Sequence, residues 1–149
     1  MNLEVSDHLK LLGKNIEDLK VISAYCQDSL VKVKDIIFLK KNKKFIMMIS
    51  RFMWEDLEKG AFRKNKRIRS AIKFEDILKV SSKKINQKNK NRLLECLAIK
   101  CNQLPNQNSE INIFFAGDGI ITLISETIEV SLNDLGKPWN VKHFPKHKI

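Results

Sequence analysis

The chain has 149 residues, 43% of them hydrophobic and 30% charged, and a formal net charge of +11. That length and apolar content suit one folded domain around a single core and exclude a disordered chain. No apolar run nears the roughly 20 residues of a membrane-crossing helix, and the opening MNLEVSDHLK lacks the basic-then-apolar pattern of a secretory signal, so a cytoplasmic location and no membrane partner are expected.

A short edge strand is predicted at residues 8–12, followed by a helix. Asn15 suits the N-cap, and Glu17 and Asp18 stand in the first turn, where the helix dipole favours negative charge. Ile16, Leu19, Ile22 and Cys26 recur at helical spacing, broadened by Val21 and Tyr25, and the helix should end near Asp28 or Ser29. Residues 30–40 then read as a strand, KNKK at 41–44 as a tight polar turn, and residues 45–54 as a central strand covered on both faces. These two strands form a hairpin.

Residues 55–66 cross to a strand at 67–74, where Ile68, Ile72 and Phe74 point one way and Arg67, Arg69 and Lys73 the other. This strand bends at Glu75 and Asp76 and continues through residues 77–85. The most polar stretch, 81–92, reads as an exposed loop, as does 102–110. Strands are expected at 93–101, 111–116 and 120–124, the last two joined by the hairpin turn Gly117-Asp118-Gly119. Residues 126–135 admit two readings. Ser125 and Gly136 could bracket a helix, but Ile128, Val130 and Leu132 alternate with period two, so a strand over 128–132 is preferred. Residues 140–149 read as a flexible tail of the single domain, 1–149.

The sum is an α+β domain. It has one N-terminal helix packed on a mostly antiparallel curved sheet or partial barrel of about seven strands. The half-barrels of pleckstrin-homology domains are an analogy of shape only.

The positive charge is confined to one segment. Residues 40–100 hold 19 Lys/Arg against 6 Asp/Glu, or +13, while the stretches on either side each come to −1. Confined charge can form a patch, which makes nucleic acid a candidate partner. Arg67, Arg69 and Lys73 would line one strand face at roughly 7 Å steps, with Lys40, Lys41, Lys43 and Lys44 projecting from the nearby turn. Arg51 and Trp54 could add a guanidinium and a stacking platform. Against this, lysine outnumbers arginine 23 to 5, a bias that A/T-rich codons also produce, and an ordinary solvated basic face is the plainer account. No signature of a known nucleic-acid-binding module is present.

Other chemistry is faint. Three cysteines, with no C-x-x-C pair, point to reduced thiols rather than disulfides. Cys96 and Cys101, five apart in a strand, should face opposite sides, and Pro145 prevents His143 and His147 from aligning on a helix. No metal, cofactor or catalytic residue is therefore expected. Carboxylate pairs at Glu17-Asp18, Glu55-Asp56 and Glu75-Asp76 read as a helix cap and strand ends. Met47, Met48 and Met53 are either core filling or an adaptable contact surface.

Several strings in order carry a resemblance: DLKVISAYCQDSLVKVKDI at 18–36, RFMWE at 51–55, RSAIKFEDILKV at 69–80, LLECLAIKC at 93–101, FAGDGIITL at 115–123 and IEVSLNDLGKPW at 128–139. Together they resemble a family of small uncharacterised alphaproteobacterial proteins, domain of unknown function 2948. The resemblance implies a bacterial, cytoplasmic protein and carries no activity to any residue. It also implies relatives richer in Arg and Ala, which would make the lysines of the turn and of the 81–92 loop local to this chain.

The resulting expectation is a non-enzymatic module that binds another protein. Nucleic-acid binding through Lys41, Lys43, Lys44, Arg51, Arg67, Arg69 and Lys73 comes second, and a small-molecule enzyme third. Oligomeric state is not legible in the sequence.

Overall fold

The computed structural model describes residues 8–55 and 65–142. Among the described residues the complete elements are the α-helix α1 (Ile16–Cys26) and ten strands: β1 (Lys10–Gly13), β2 (Leu30–Lys32), β3 (Ile36–Leu39), β4 (Lys44–Phe52), β5 (Lys66–Phe74), β6 (Ile77–Lys83), β7 (Leu93–Gln103), β8 (Ser109–Phe115), β9 (Ile120–Ser125) and β10 (Val130–Asn140). The strands form one antiparallel sheet in the order β1-β10-β5-β4-β2-β7-β8-β9-β6, with β3 paired beside β2 on β4. The class is α+β as expected; the strand count is ten rather than about seven, and the sheet does not close.

The N-cap works as its side chain suggests. The Asn15 side chain accepts from the Asp18 backbone N–H at 2.8 Å, and Leu19, Ile22 and Cys26 form the buried stripe. These pack into one core with Phe45, Met47 and Ile49 of β4, Ile72 and Phe74 of β5, and the inward residues of β7 to β10. A single core shared by strands from one end of the order to the other means that the sheet curls around it.

Four local readings need correction. Residues 30–40 are not one strand: a 3-10 turn at Val33–Asp35 separates β2 from β3. It forms where the Val33 and Lys34 N–H groups turn away to the carbonyls of Arg92 and Lys90. Strand β4 is not covered on both faces. Phe45, Met47, Ile49 and Arg51 are buried, whereas Ile46, Met48 and Ser50 on the other face are only half-buried. Cys96 and Cys101 do not oppose each other. A bulge between Cys96 and Ala98 inserts one residue and resets the alternation, so Cys96, Ile99 and Cys101 pair in turn with the inward Phe115, Ile113 and Ile111. The strand expected at 128–132 starts at Val130 and continues to Asn140 beyond an irregularity between Leu135 and Trp139, where Gly136 takes φ +72°.

Other features match the expectations. Ile68, Ile72 and Phe74 are interior. The bend after β5 falls at Asp76, φ 58°, and the chain crosses there from pairing with β4 to pairing with β9. Gly117 and Asp118 supply the two positive φ angles of the β8–β9 hairpin. The expected tail falls mostly outside the described residues.

Candidate functional site

Seven cations were singled out in the sequence, and the fold does not unite them. Arg51 lies on the inward side of β4 and is completely buried. All five of its N–H donors are used. Nε and Nη2 donate to the two Asp134 oxygens at 2.8 Å each, Nη1 and Nη2 to the two Glu55 oxygens at 2.9 and 2.7 Å, and Nη1 also to the Phe52 carbonyl at 3.4 Å. Its guanidinium lies 5.7 Å from the centre of the Tyr25 ring. Asp134 further accepts from the Ser70 hydroxyl at 2.6 Å and the Leu9 N–H at 2.9 Å.

Burial alone would push Arg51 down and Asp134 up. The hydrogen bonds between them outweigh it, so the arginine is raised and the carboxylate lowered, and both stay charged. A pair satisfied on every side has no proton to trade. It fastens β4, β5 and β10 to the backbone at Leu9 just before β1, and its burial leaves no face for a nucleic-acid contact.

Arg67 faces outward yet is half-buried. Its Nη1 donates to the carbonyls of Asp28 and Ser50 at 3.2 and 2.9 Å, and its guanidinium lies 5.9 Å from the Phe52 ring centre. Trp54 is no open platform: it meets Phe52 edge-on at 4.7 Å between ring centres and donates its indole N–H to Gln27 O.

The remaining cations are on the surface beside carboxylates: Lys43 at 2.9 Å from Glu126, Lys44 and Lys73 each at 3.8 Å from Glu75, and Arg69 at 3.8 Å from Asp35. Lys41 is exposed. Arg69 and Lys73 do share the outer face of β5, but Ala71 stands between them, opposite Met48 of β4. Met47 and Met53 are core, and only Met48 reaches this outer face.

The thiols are held protonated. Burial pushes Cys96 up to about 12 and raises Cys26 and Cys101 as well. Among the described residues no group of three or more His, Cys, Asp or Glu is placed to hold a metal ion, and no helix is long and apolar enough to cross a membrane. His143 and His147 lie outside the described residues.

The feature that sequence reasoning missed is a seam. Among the described residues β3 pairs only with β4, and β6 only with β9, so each has one edge without a partner strand. The two edges border a common cleft of about 290 Å3. Its floor is Val33, Ile36, Phe38, Phe45, Val80 and Ile121; Ser81, Ser82, Gln87 and Lys90 stand at its rim. Backbone bonds close both ends: Ile77 N–H to Lys43 O at 2.8 Å at one, Lys34 N–H to Lys90 O at 2.9 Å and Val33 N–H to Arg92 O at 3.0 Å at the other. Ile37 and Leu39 of β3 and Leu78 of β6 remain exposed. A wider depression of about 430 Å3 runs along α1 beside Tyr25 and Trp54. In it Glu17 pairs with Lys20, Trp54 with Gln27 O and Glu55 with Arg51.

A family model for proteins of unknown function, DUF2948, matches residues 9–147. The chain belongs to that family. The match spans the helix and every strand described above, so the fold is the family's domain and not an addition to it. No curated protein and no solved structure matches the chain.

Proposed function

We propose that this family member is a non-enzymatic protein-binding module whose contact surface is the seam between β3 and β6. The observation that supports the reading is the meeting of two unpartnered strand edges over an apolar floor, with Ile37, Leu39 and Leu78 exposed on the bordering strands. Apolar surface beside unpaired backbone groups is a recurrent feature of protein contact sites. A photo-crosslinking residue at Ser81 tests it. The expected result is a discrete protein adduct in cells that disappears with Val80→Glu, in a variant whose unfolding midpoint is otherwise near normal, and that does not form from Lys20 on α1. No adduct, or one indifferent to position and to Val80→Glu, overturns the reading.

A second reading, binding to a nucleic-acid backbone, is favoured by the outward placement of Arg69 and Lys73 on β5 with Lys41, Lys43 and Lys44 at the β3–β4 turn. Their surface ion pairs are weak, about 0–1 kcal/mol each, and a phosphate could displace them. This reading requires retention on mixed-sequence RNA that falls steeply with salt and is lost in Arg69→Ala with Lys73→Ala. Unchanged retention in that variant ends it.

A further inference from the structure

From Ile77 to Arg92 the chain carries Lys79, Lys83, Lys84, Lys88, Lys90 and Arg92, and no carboxylate. This run supplies one wall and the rim of the seam. Of these cations, Lys84 has a carboxylate within reach, Asp118 at 4.0 Å, and both groups are largely exposed.

The cleft is preformed. Its two ends are tied by the backbone bonds to Lys43 O and to the carbonyls of Lys90 and Arg92. Ile85 is seated against Gly119, where an added Cβ would come within 3.0 Å of Ile85 Cγ1.

Resting on the protein-binding reading, we propose that the seam takes one bulky apolar side chain from an acidic segment of a partner protein. Three observations fix that chemistry. An apolar floor with Lys90 at its rim, set in a run of six cations and no carboxylate, selects an occupant that is apolar at its centre and anionic around it. The edges of β3 and β6 leave backbone N–H and C=O groups at the mouth, which a peptide backbone can satisfy and an acyl chain cannot. The cleft is closed at both ends and only about 290 Å3 in volume, so it admits an anchoring side chain and not a full inserted strand. One buried anchor ringed by contacts that exclude water is the usual anatomy of a binding hot spot.

The probe is a fluorescein-labelled peptide, Glu-Asp-Glu-Phe-Asp-Glu-Asp, titrated into 15N-labelled full-length protein. Amide shifts are expected in β3 and over residues 80–90. Replacing the central Phe by Ala should weaken binding about tenfold or more. Lys79→Ala, Lys83→Ala and Lys90→Ala combined should weaken it similarly and flatten its salt dependence. Gly119→Ala, which displaces Ile85, should weaken it with little change in the unfolding midpoint.

Indifference to the central Phe, shifts confined to other faces, or equal displacement by mixed-sequence single-stranded RNA would each overturn the inference. If Ser81 still yields its Val80-dependent adduct, the inference falls and the protein-binding reading stands. If that adduct is also missing, both fall.

Discussion

Arg51 is among the largest fully buried side chains, and among the described residues it pairs with Asp134, fully buried, and Glu55, partly buried. Removing one member of such a group is costly because it strands the others. Asp134→Asn is expected to lower stability by about 3–5 kcal/mol, read as a large drop in the urea midpoint. Arg51→Met combined with Asp134→Leu should cost less than the two single changes added together, since it leaves less buried charge unpaired. The pH dependence follows from the lowered Asp134 pKa. The unfolded chain takes up this proton near pH 3.9, about the ordinary aspartate value, before the folded one does. The contribution is therefore full above that pH and is lost as pH falls through the lower folded value. Substituting Asn for Asp134 should flatten this acid limb. Thiol chemistry belongs to the same scale. Cys26 and Cys96 are buried with raised pKa values, so a disulfide reagent at pH 8 should label at most Cys101 in the native protein, slowly, and all three cysteines in denaturant. Fast labelling of two thiols would contradict the burial.

At the scale of elements, α1 depends on its cap. Asn15→Ala should cost about 1 kcal/mol, measured by denaturation, with the Asp18 N–H left to water. That cap was legible because capping is local: three residues decide it. The inward set Ile68, Ile72 and Phe74 was legible for the same reason, alternation along one strand. Arg51 and Asp134 could have been found in this way, since each occupies the inward parity of its strand, beside Met47 and Ile49 in one case and Val130 and Leu132 in the other. A charge of each sign on two apolar faces signals a buried pair. The bulge after Cys96 left no such mark, because no glycine or proline accompanies it, and the cysteine geometry was misjudged by one residue. The break at Val33–Asp35 was hidden too, since its cause, the carbonyls of Lys90 and Arg92, lies more than fifty residues away. The seam could not be read at all. It is a relation between two strand edges, and nothing local says that an edge lacks a neighbour.

At the scale of the molecule, one strongly curled sheet encloses one core, and the described cations are not gathered into one cluster around it. Among the described residues some cations balance carboxylates in the turns, at Asp35, Glu75 and Glu126; others stand on the run beside the seam; Arg51 is buried. A net charge of +11 therefore describes the chain better than it describes any single surface. It still governs how copies of the protein meet. Strand edges such as those of β3 and β6, which have no second partner among the described residues, are a template for contact with another molecule of the same kind, and the lysines on and after β6 oppose that approach through mutual repulsion. Their reach is a matter of electrolyte: the screening length shrinks from about 10 Å at 0.1 M ionic strength to about 3 Å at 1 M. Light scattering should then record a dispersed monomer in dilute buffer and growing clusters in concentrated sodium chloride. Replacing Lys79 and Lys83 with alanine should move that onset to lower salt. The gap in the sheet is thus expected to make the protein's colloidal behaviour a function of its ionic surroundings, with lysine as the guard against self-adhesion.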